Sequence, residues 1–543
     1  AKFILSIGAD FHTGWVSQVQ YGVAYGQFRG RPGNRGVLVQ VEPRITATGA
    51  SADQWFPIKP GTEGTLALGL ANVIISQGLA AGGFAPGSPL PDLQAVSQAT
   101  GIPQDQIVNL ARRFATQTPS LALGGDAAAA YSNGRFNLDA IYSLNRLVGS
   151  VGKPGGILPN PRSPLPEVPE AASVWPFSRW QELVTAIRNG QPVTQSGTTI
   201  SIVPPQVLLV RDANPVYGLH PALGFGEVLD KIPFIASFSS YMDETTAQAD
   251  LILPGHTFLE DWGSDIPEPG PGFQVVGFQQ PVVNPFYDTR SFGDVILTLA
   301  EELNLARDLP WTTFKDVLRD GSQALFKLQR GSVQAAGFEE YWMRLRQRGG
   351  WWDEKATGTI SPAAAAPAAV VPVIPTFAGS EQEYPFYLLP FPSASLREGD
   401  TAFLPWPQAT PDPITTIVWQ TWVEVSLETA EQLALQQGDI VRVESPQGNL
   451  EAVVYPHPGL RPDVVAIPMG QGHSGSGIYA KDRGANVLAI VQPQAQGSDG
   501  GLARASTRVR LVKTGKSIEV SKAEGQVMAV QPPDAEIVGV IRQ

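Results

Sequence analysis

The chain opens on FILSI (Phe3–Ile7), an apolar run without polar alternation that ends at once in Gly8-Ala9-Asp10. A strand of that kind needs cover on both faces, so it predicts a parallel sheet sandwiched between helices rather than an antiparallel sheet with one wet face. VLVQV (Val37–Val41) repeats the pattern and is closed by Glu42-Pro43-Arg44. Small and acidic residues at the carboxyl ends of parallel strands let backbone N–H groups and a carboxylate reach a nucleotide in the crevice outside the sheet. The front half of a dinucleotide-binding α/β unit is therefore expected here. Pro60-Gly61-Thr62-Glu63-Gly64 opens the helix that follows.

The same unit continues with a helix near Pro103–Thr116, a strand in SLALGG (Ser120–Gly125) and a core helix in NLDAIYSLNRLVG (Asn137–Gly149), whose apolar residues recur at helical spacing. Gly152-Lys153-Pro154-Gly155-Gly156 closes a first lobe over 1–160. Residues 161–204 read as an irregular, Pro- and Trp-rich connection, with Trp175, Phe177 and Trp180 packing on the preceding lobe. Gly26–Gly36 reads as a solvated basic loop. A second α/β unit, 205–305, begins with VLLVRDANP and continues through a strand at Pro233–Ser239, the segment MDETTAQAD and the strand-like LILP. Residues 306–383 read as helices and an Ala/Pro/Val linker (Ala363–Pro375), 384–515 as alternating strands with a hairpin at Gln447-Gly448, and 516–543 as an extended arm.

Charge narrows the choice of partners. With 38 basic and 50 acidic residues the net charge is −12, which disfavours nucleic acid and anionic lipid. Charged residues are 16% of the chain, against roughly a quarter in ordinary soluble domains. Surface covered by partner subunits accounts for that, as does the compact surface of a large thermostable enzyme. No transmembrane segment is expected; the most apolar stretch, Leu66–Ala85, carries Asn72, Gln77 and several glycines and has the spacing of a core helix. The five histidines are scattered and no cysteine occurs in 543 residues. A metal site built within this chain alone is not expected, and iron–sulfur clusters, which need cysteine thiolates, have no ligands here.

The ordered set GAD, VEPR, SADQW and PIKPGTEG, then the GG strand end, the LNRLVG helix and GKPGG, resembles the large subunit of the molybdopterin oxidoreductase (dimethyl sulfoxide reductase) family. Asn214-Pro215, DETTAQAD and EDWG are similar to its second nucleotide-gripping half. A glycine-rich loop around His473, followed by Gly484-Ala485-Asn486, is similar to a pterin-facing loop of its C-terminal domain. The resemblance implies two dinucleotide-binding-type α/β lobes followed by a C-terminal β-barrel of the double-psi type. It also implies that the first lobe grips one guanine dinucleotide arm of a bis-molybdopterin cofactor and the second lobe the other. By that resemblance, Gly8, Asp10, Glu42, Asp53 and Glu63 frame one arm, Asn214, Asp243 and Asp250 the other, while His473 and Asn486 face the pterin. Each is equally the kind of residue that turns and caps require.

Among the branches of the family, the phrases VEPRITATGASADQW and SFSSYMDETTAQADLILPGHTFLEDWG are most similar to the molybdopterin-enzyme-like B subunit of alternative complex III, a quinol-oxidising membrane complex. That resemblance, with the missing thiolates, implies a non-catalytic scaffold without catalytic or metal-binding residues and with no cofactor in this chain. Implied partners are a ferredoxin-like iron–sulfur domain, multihaem and monohaem cytochromes c, and integral quinol-binding subunits that hold the chain peripherally on the periplasmic face. The alternative is the body of a bis-molybdopterin guanine dinucleotide oxidoreductase of the polysulfide reductase type, with its cluster and metal-ligand segment elsewhere.

Overall fold

The computed structural model describes residues 1–30, 35–81, 90–165, 174–194, 201–268, 270–305, 307–359, 370–475, 477–497 and 500–523. The opening strand β1 (Phe3–Ile7) is interior to a four-stranded sheet. It lies between β2 (Val37–Val41) and β4 (Ser120–Gly124), with β3 (Gln54–Phe56) outside β2, and every pairing is parallel. Phe3, Leu5 and Ile7 are fully buried, as an unalternated apolar strand requires. The helix Glu63–Ser76 buries ten of its fourteen residues, so it is a core element and not an amphipathic surface helix. It packs with the helices Gln104–Thr116 and Gly134–Leu147 into one apolar cluster around the sheet. Among the described residues no helix is long and apolar enough to cross a membrane.

The expected solvated loop at Gly26–Gly36 is corrected in part. Residues 26–29 finish the helix Gln18–Arg29, and Arg29 and Arg35 both pair with Asp53; residues 31–34 lie outside the described residues. In the 161–204 connection, Phe177–Asn189 is a helix. Its Phe177, Val184 and Ile187 pack with Val210, Leu223 and Phe225 of the second half, not with the first lobe as expected.

The second half is a smaller parallel sheet of β5 (Val207–Val210), β6 (Phe234–Ser237) and β7 (Leu251–Ile252) in that spatial order. Beyond it the chain makes an antiparallel sheet of β8 (Gly263–Asp265), β9 (Phe273–Gln279) and β10 (Gly350–Thr357). The helix Phe292–Glu302 lies at the end of the stretch assigned to the second α/β unit, and helices Phe314–Lys327 and Phe338–Arg348 match the helices expected over 306–383. Strand β10 was not expected there. Its tryptophans decide its place: Trp351 is fully buried, and its indole N–H donates to the carbonyl of Arg330 at 2.9 Å. Part of the expected Ala/Pro/Val linker, 363–369, lies outside the described residues.

The C-terminal part is a closed six-stranded barrel made of β11 (Phe386–Phe391), β12 (Trp422–Ser426), β13 (Asp439–Ser445), β14 (Gly448–His457), β15 (Val464–Pro468) and β16 (Arg508–Ser517). Around the barrel they run β11-β15-β12-β14-β13-β16. Pairs β11–β15 and β12–β14 are parallel in an otherwise antiparallel barrel. Of the expected arm over 516–543, residues 516–517 complete β16, Ile518 N–H donates to Gly438 and Lys522 bridges to Ile417; residues 524–543 lie outside the described residues. The barrel is seated on the first lobe by backbone bonds from Ile45 to Gly459 (2.7 Å) and from Arg461 to Pro43 (3.1 Å). Beside them, Arg44 makes a buried ion pair with Glu424.

Candidate functional site

The carboxyl ends of β1, β2 and β5 and the turns after them face one crevice, which the barrel covers from the other side. Its volume is about 960 Å³, and Gly8, Asp10, Glu42, Asn214, Asp243 and His473 all line it. That volume is at the upper end of the ~300–1,000 Å³ typical of small-molecule and cofactor sites. Gly8 is required by its backbone: φ is +68°, and a Cβ there would lie 2.6 Å from the amide nitrogen of Ala128.

The first lobe supplies two carboxylates. Asp10 accepts from the Thr48 hydroxyl at 2.7 Å and from the Thr13 hydroxyl. Glu42 accepts from the Thr46 amide at 2.8 Å and from the Gln40 side chain at 2.8 Å. Burial pushes the Glu42 carboxyl up to about 7 despite these bonds.

The second half supplies Asn214 and Asp243. Asn214 accepts from the Thr245 hydroxyl at 2.7 Å and donates to Glu244 at 2.6 Å. Asp243 accepts from the Thr246 amide at 2.7 Å. Glu244, which the sequence reading passed over in favour of its neighbour, ties the second half to the barrel. Its Oε1 accepts the amides of Ser474 at 2.7 Å and Gly475 at 2.9 Å, and His473 Nδ1 lies 3.1 Å away. Burial opposes ionisation of Glu244, but the bonds from His473, Asn214 and Gly475 outweigh it and hold the carboxyl at about 2.

His473 is clamped in one orientation. Its ring stacks on Tyr217 at 3.6 Å and meets the edge of Phe403 at 4.9 Å. An ionised Glu244 can only accept, so Nδ1 carries a proton and Nε2 is the ring nitrogen left to meet a ligand. That Nε2 is buried and has no hydrogen-bond partner among the described residues, while His473 itself lines the crevice. A buried polar atom left open in this way costs about 1–3 kcal/mol unless a ligand or water satisfies it.

The remaining sequence-identified positions lie elsewhere. Asp53 accepts the Leu38 amide and Asp250 the Ile235 amide, at the amino ends of their sheets and so away from the crevice. Glu63 does not line it and is buried beside Asn137, with its carboxyl pushed up to about 8 by burial. Asn486 accepts the Leu488 amide as a helix cap behind the His473 loop. Arg44 and Asp412 line the crevice and were not singled out from sequence. Among the described residues no cluster of three or more His, Asp or Glu could hold a metal ion.

Comparison with known proteins follows the same outline. Residues 1–302 match the family described as molybdopterin oxidoreductase, and residues 415–501 match the molydopterin dinucleotide binding domain. The chain is 27% identical to the menaquinone reductase, molybdopterin-binding-like subunit of Nitratidesulfovibrio vulgaris (strain Hildenborough), across 96% of this chain and 71% of that protein. It is 25% identical to the arsenate respiratory reductase molybdopterin-containing subunit of Shewanella sp. (strain ANA-3), across 88% and 70%. The acetylene hydratase of Pelobacter acetylenicus has a similar fold, with a TM-score of 0.68 and 17% identity over 94% of this chain and 78% of that one.

These findings overturn the expectation of a chain without a cofactor. One matched region is a molydopterin dinucleotide binding domain and the other a molybdopterin oxidoreductase domain, and the arsenate reductase relative is described as molybdopterin-containing. The crevice fits a pterin dinucleotide in its paired strand-end turns and in the open Nε2 of His473. The inference from missing cysteine was too broad, because a thiolate binds the metal and the clusters, whereas turns and backbone bind the nucleotide arms.

Proposed function

Because this chain belongs to the molybdopterin oxidoreductase family, we propose that it is the molybdopterin-binding subunit of a membrane-associated, quinone-linked electron-transfer complex. One observation carries the reading. Strand-end turns of two α/β halves and a histidine of the barrel meet in a single crevice of about 960 Å³. When bound, the pterin dinucleotide would supply a metal-carrying, electron-accepting group. This chain's residues hold it: Gly8 and Asp10 on one side, Asn214 and Asp243 on the other, and His473 Nε2 as the open polar atom of the barrel.

These 543 residues hold no cysteine, so a cluster relay draws its thiolate ligands from outside them. The role of the chain is therefore scaffold and cofactor holder. Its partners are a ferredoxin-like iron–sulfur domain, cytochromes c and integral quinol-binding subunits, on the periplasmic face as in alternative complex III. The similarity to a menaquinone reductase subunit supports the quinone link.

The same open crevice favours a second reading, a catalytic subunit. Quantitation of pterin, guanine nucleotide and molybdenum or tungsten in the complex from its native host tests both. Pterin and guanine nucleotide in stoichiometric amounts are expected, and their absence from a folded complex sinks the cofactor-holding role. A stoichiometric metal, together with substrate turnover abolished by a His473→Leu change, would shift the assignment from scaffold to enzyme.

A further inference from the structure

A contiguous apolar face lies on the two loops beside the crevice wall. Phe258, Val282, Phe286 and Tyr287 are 72%, 69%, 82% and 75% exposed, and Leu259 and Val283 lie with them. Together they present on the order of 600 Å² of apolar surface, since an aromatic side chain alone offers ~150–250 Å². Monomers rarely leave a patch of that size uncovered, and it approaches the ~800 Å² that one partner contributes to a stable interface.

The face is held in shape. The Val282 and Val283 amides donate to the Leu259 carbonyl at 2.9 and 3.3 Å, and the Gln279 side chain donates to the Phe258 carbonyl. Glu260 accepts the Phe286 amide at 2.9 Å and the Thr257 amide at 3.0 Å, so its carboxylate braces both loops. Phe286 and Tyr287 meet edge to face at 4.9 Å. A face fixed in advance loses little entropy when it is covered.

The charges of this segment choose the occupant. Between Gly255 and Arg290 lie Glu260, Asp261, Asp265, Glu268 and Asp288, against the single basic residue Arg290. An anionic lipid surface is repelled by that net negative charge, and a second copy of the chain would bring the same sign to the contact. A protein surface with an apolar centre and a Lys/Arg rim meets both features. The position adds a reason: Gly255, His256 and Asp261 line the crevice, so the face begins where the crevice wall ends.

We propose that this face docks a partner subunit that is apolar at its contact centre and basic at its rim, seated at the lip of the crevice. The proposal rests on membership of a multi-subunit complex, and the test separates the two. A photo-crosslinking residue is placed at position 287 of the chain in the intact purified complex, and the cross-linked peptides are mapped. In parallel, Phe286→Asp/Tyr287→Asp is introduced, and the melting temperature of the chain checks its fold. Expected are cross-links to a Lys/Arg-flanked apolar segment of one other subunit, at least a tenfold loss of that subunit from the variant complex, and an unchanged melting temperature. Cross-links to lipid, to this chain itself or to nothing overturn the proposal, as does a variant complex that assembles at full yield. A wild-type chain that purifies alone would instead overturn the membership reading. If the double variant misfolds, Asp288→Lys on the rim replaces it, and full retention of the subunit at low salt then overturns the proposal.

Discussion

Asp53 and Asp250 perform the same task in the two α/β halves. Each directly precedes the short outer strand, β3 or β7, and accepts a hydrogen bond from the amide of the second residue of the neighbouring strand. The distances are 2.8 Å to Leu38 and 2.7 Å to Ile235. The two sheets are thus pinned at their amino ends by equivalent aspartates, while the crevice lies at their carboxyl ends. Residues grouped with the ligand site by sequence resemblance divide by which end of the sheet they occupy.

Replacing either aspartate by alanine should therefore weaken folding without emptying the crevice. Loss of a charge-assisted bond to a strand amide should cost about 1–2 kcal/mol for Asp250→Ala. The cost should be larger for Asp53→Ala, because Arg29 and Arg35 lose their partner as well. Denaturant unfolding gives the stability and pterin quantitation gives the occupancy. A drop in pterin content at unchanged stability would return both residues to the binding site.

Glu63 makes the fold sensitive to pH. Its carboxyl is pushed from 4.5 to about 8 by burial. The folded state therefore holds a proton that the unfolded chain releases, and stability falls as pH rises from about 4.5 to about 8. Glu63→Gln removes that loss. The variant should equal the wild type at pH 4.5 and exceed it by on the order of 2–4 kcal/mol at pH 8.5. Equal stability of the two proteins at both pH values contradicts the assignment.

Glu244 is the residue on which the His473 loop depends. Glu244→Gln keeps the size but loses the charge that accepts the Ser474 and Gly475 amides and the His473 Nδ1–H. A loss of about 2–3 kcal/mol is expected for charged hydrogen bonds of this kind. Faster amide exchange at Ser474 and Gly475 and a lower pterin content should accompany it. In the wild type this contribution is present above pH 4.5 and is lost as pH falls toward 2, because the folded carboxyl sits at about 2. Unchanged exchange at Ser474 would show that the loop is held by something else.

The parallel sheet around β1 was legible because an unalternated FILSI allows few other solutions, and the crevice residues Gly8, Asp10, Glu42, Asn214, Asp243 and His473 were legible through the family resemblance, which the glycine and acidic turns after the strands of the two halves support. Two kinds of feature were not legible. Strand β10 carries WWDEKAT, whose polar half hides the strand period, and its place is set by burial of Trp351 against a distant segment. Glu244 and Arg44 find their partners 229 and 380 residues away, so no local pattern marks them. Side chains that join separate parts of a chain become visible only once those parts are assembled.

The junction of lobe and barrel should be governed by one such pair. Arg44 donates to both oxygens of Glu424, the Trp422 indole also donates to Glu424, and the guanidinium lies 3.8 Å from the centre of the Phe391 ring. Glu424 is fully buried and Arg44 nearly so. Burial opposes both charges, yet each offsets it for the other, so the Glu424 carboxyl is lowered and the Arg44 guanidinium raised. Removing one partner leaves a buried charge alone, at a cost of about 3–5 kcal/mol, whereas removing both leaves none. Arg44→Met and Glu424→Gln should each be strongly destabilising, and Arg44→Met combined with Glu424→Gln should cost far less than their sum. A chain of several parts need not unfold in one step, so the reading belongs at the junction itself. Exchange of the Ile45 and Arg461 amides, which bond across it to Gly459 and Pro43, reports its opening. Both single variants should speed that exchange and the double variant should restore most of the protection. Additive effects would mean that the two charges are not coupled and that the apolar contacts around Phe391 hold the barrel in place.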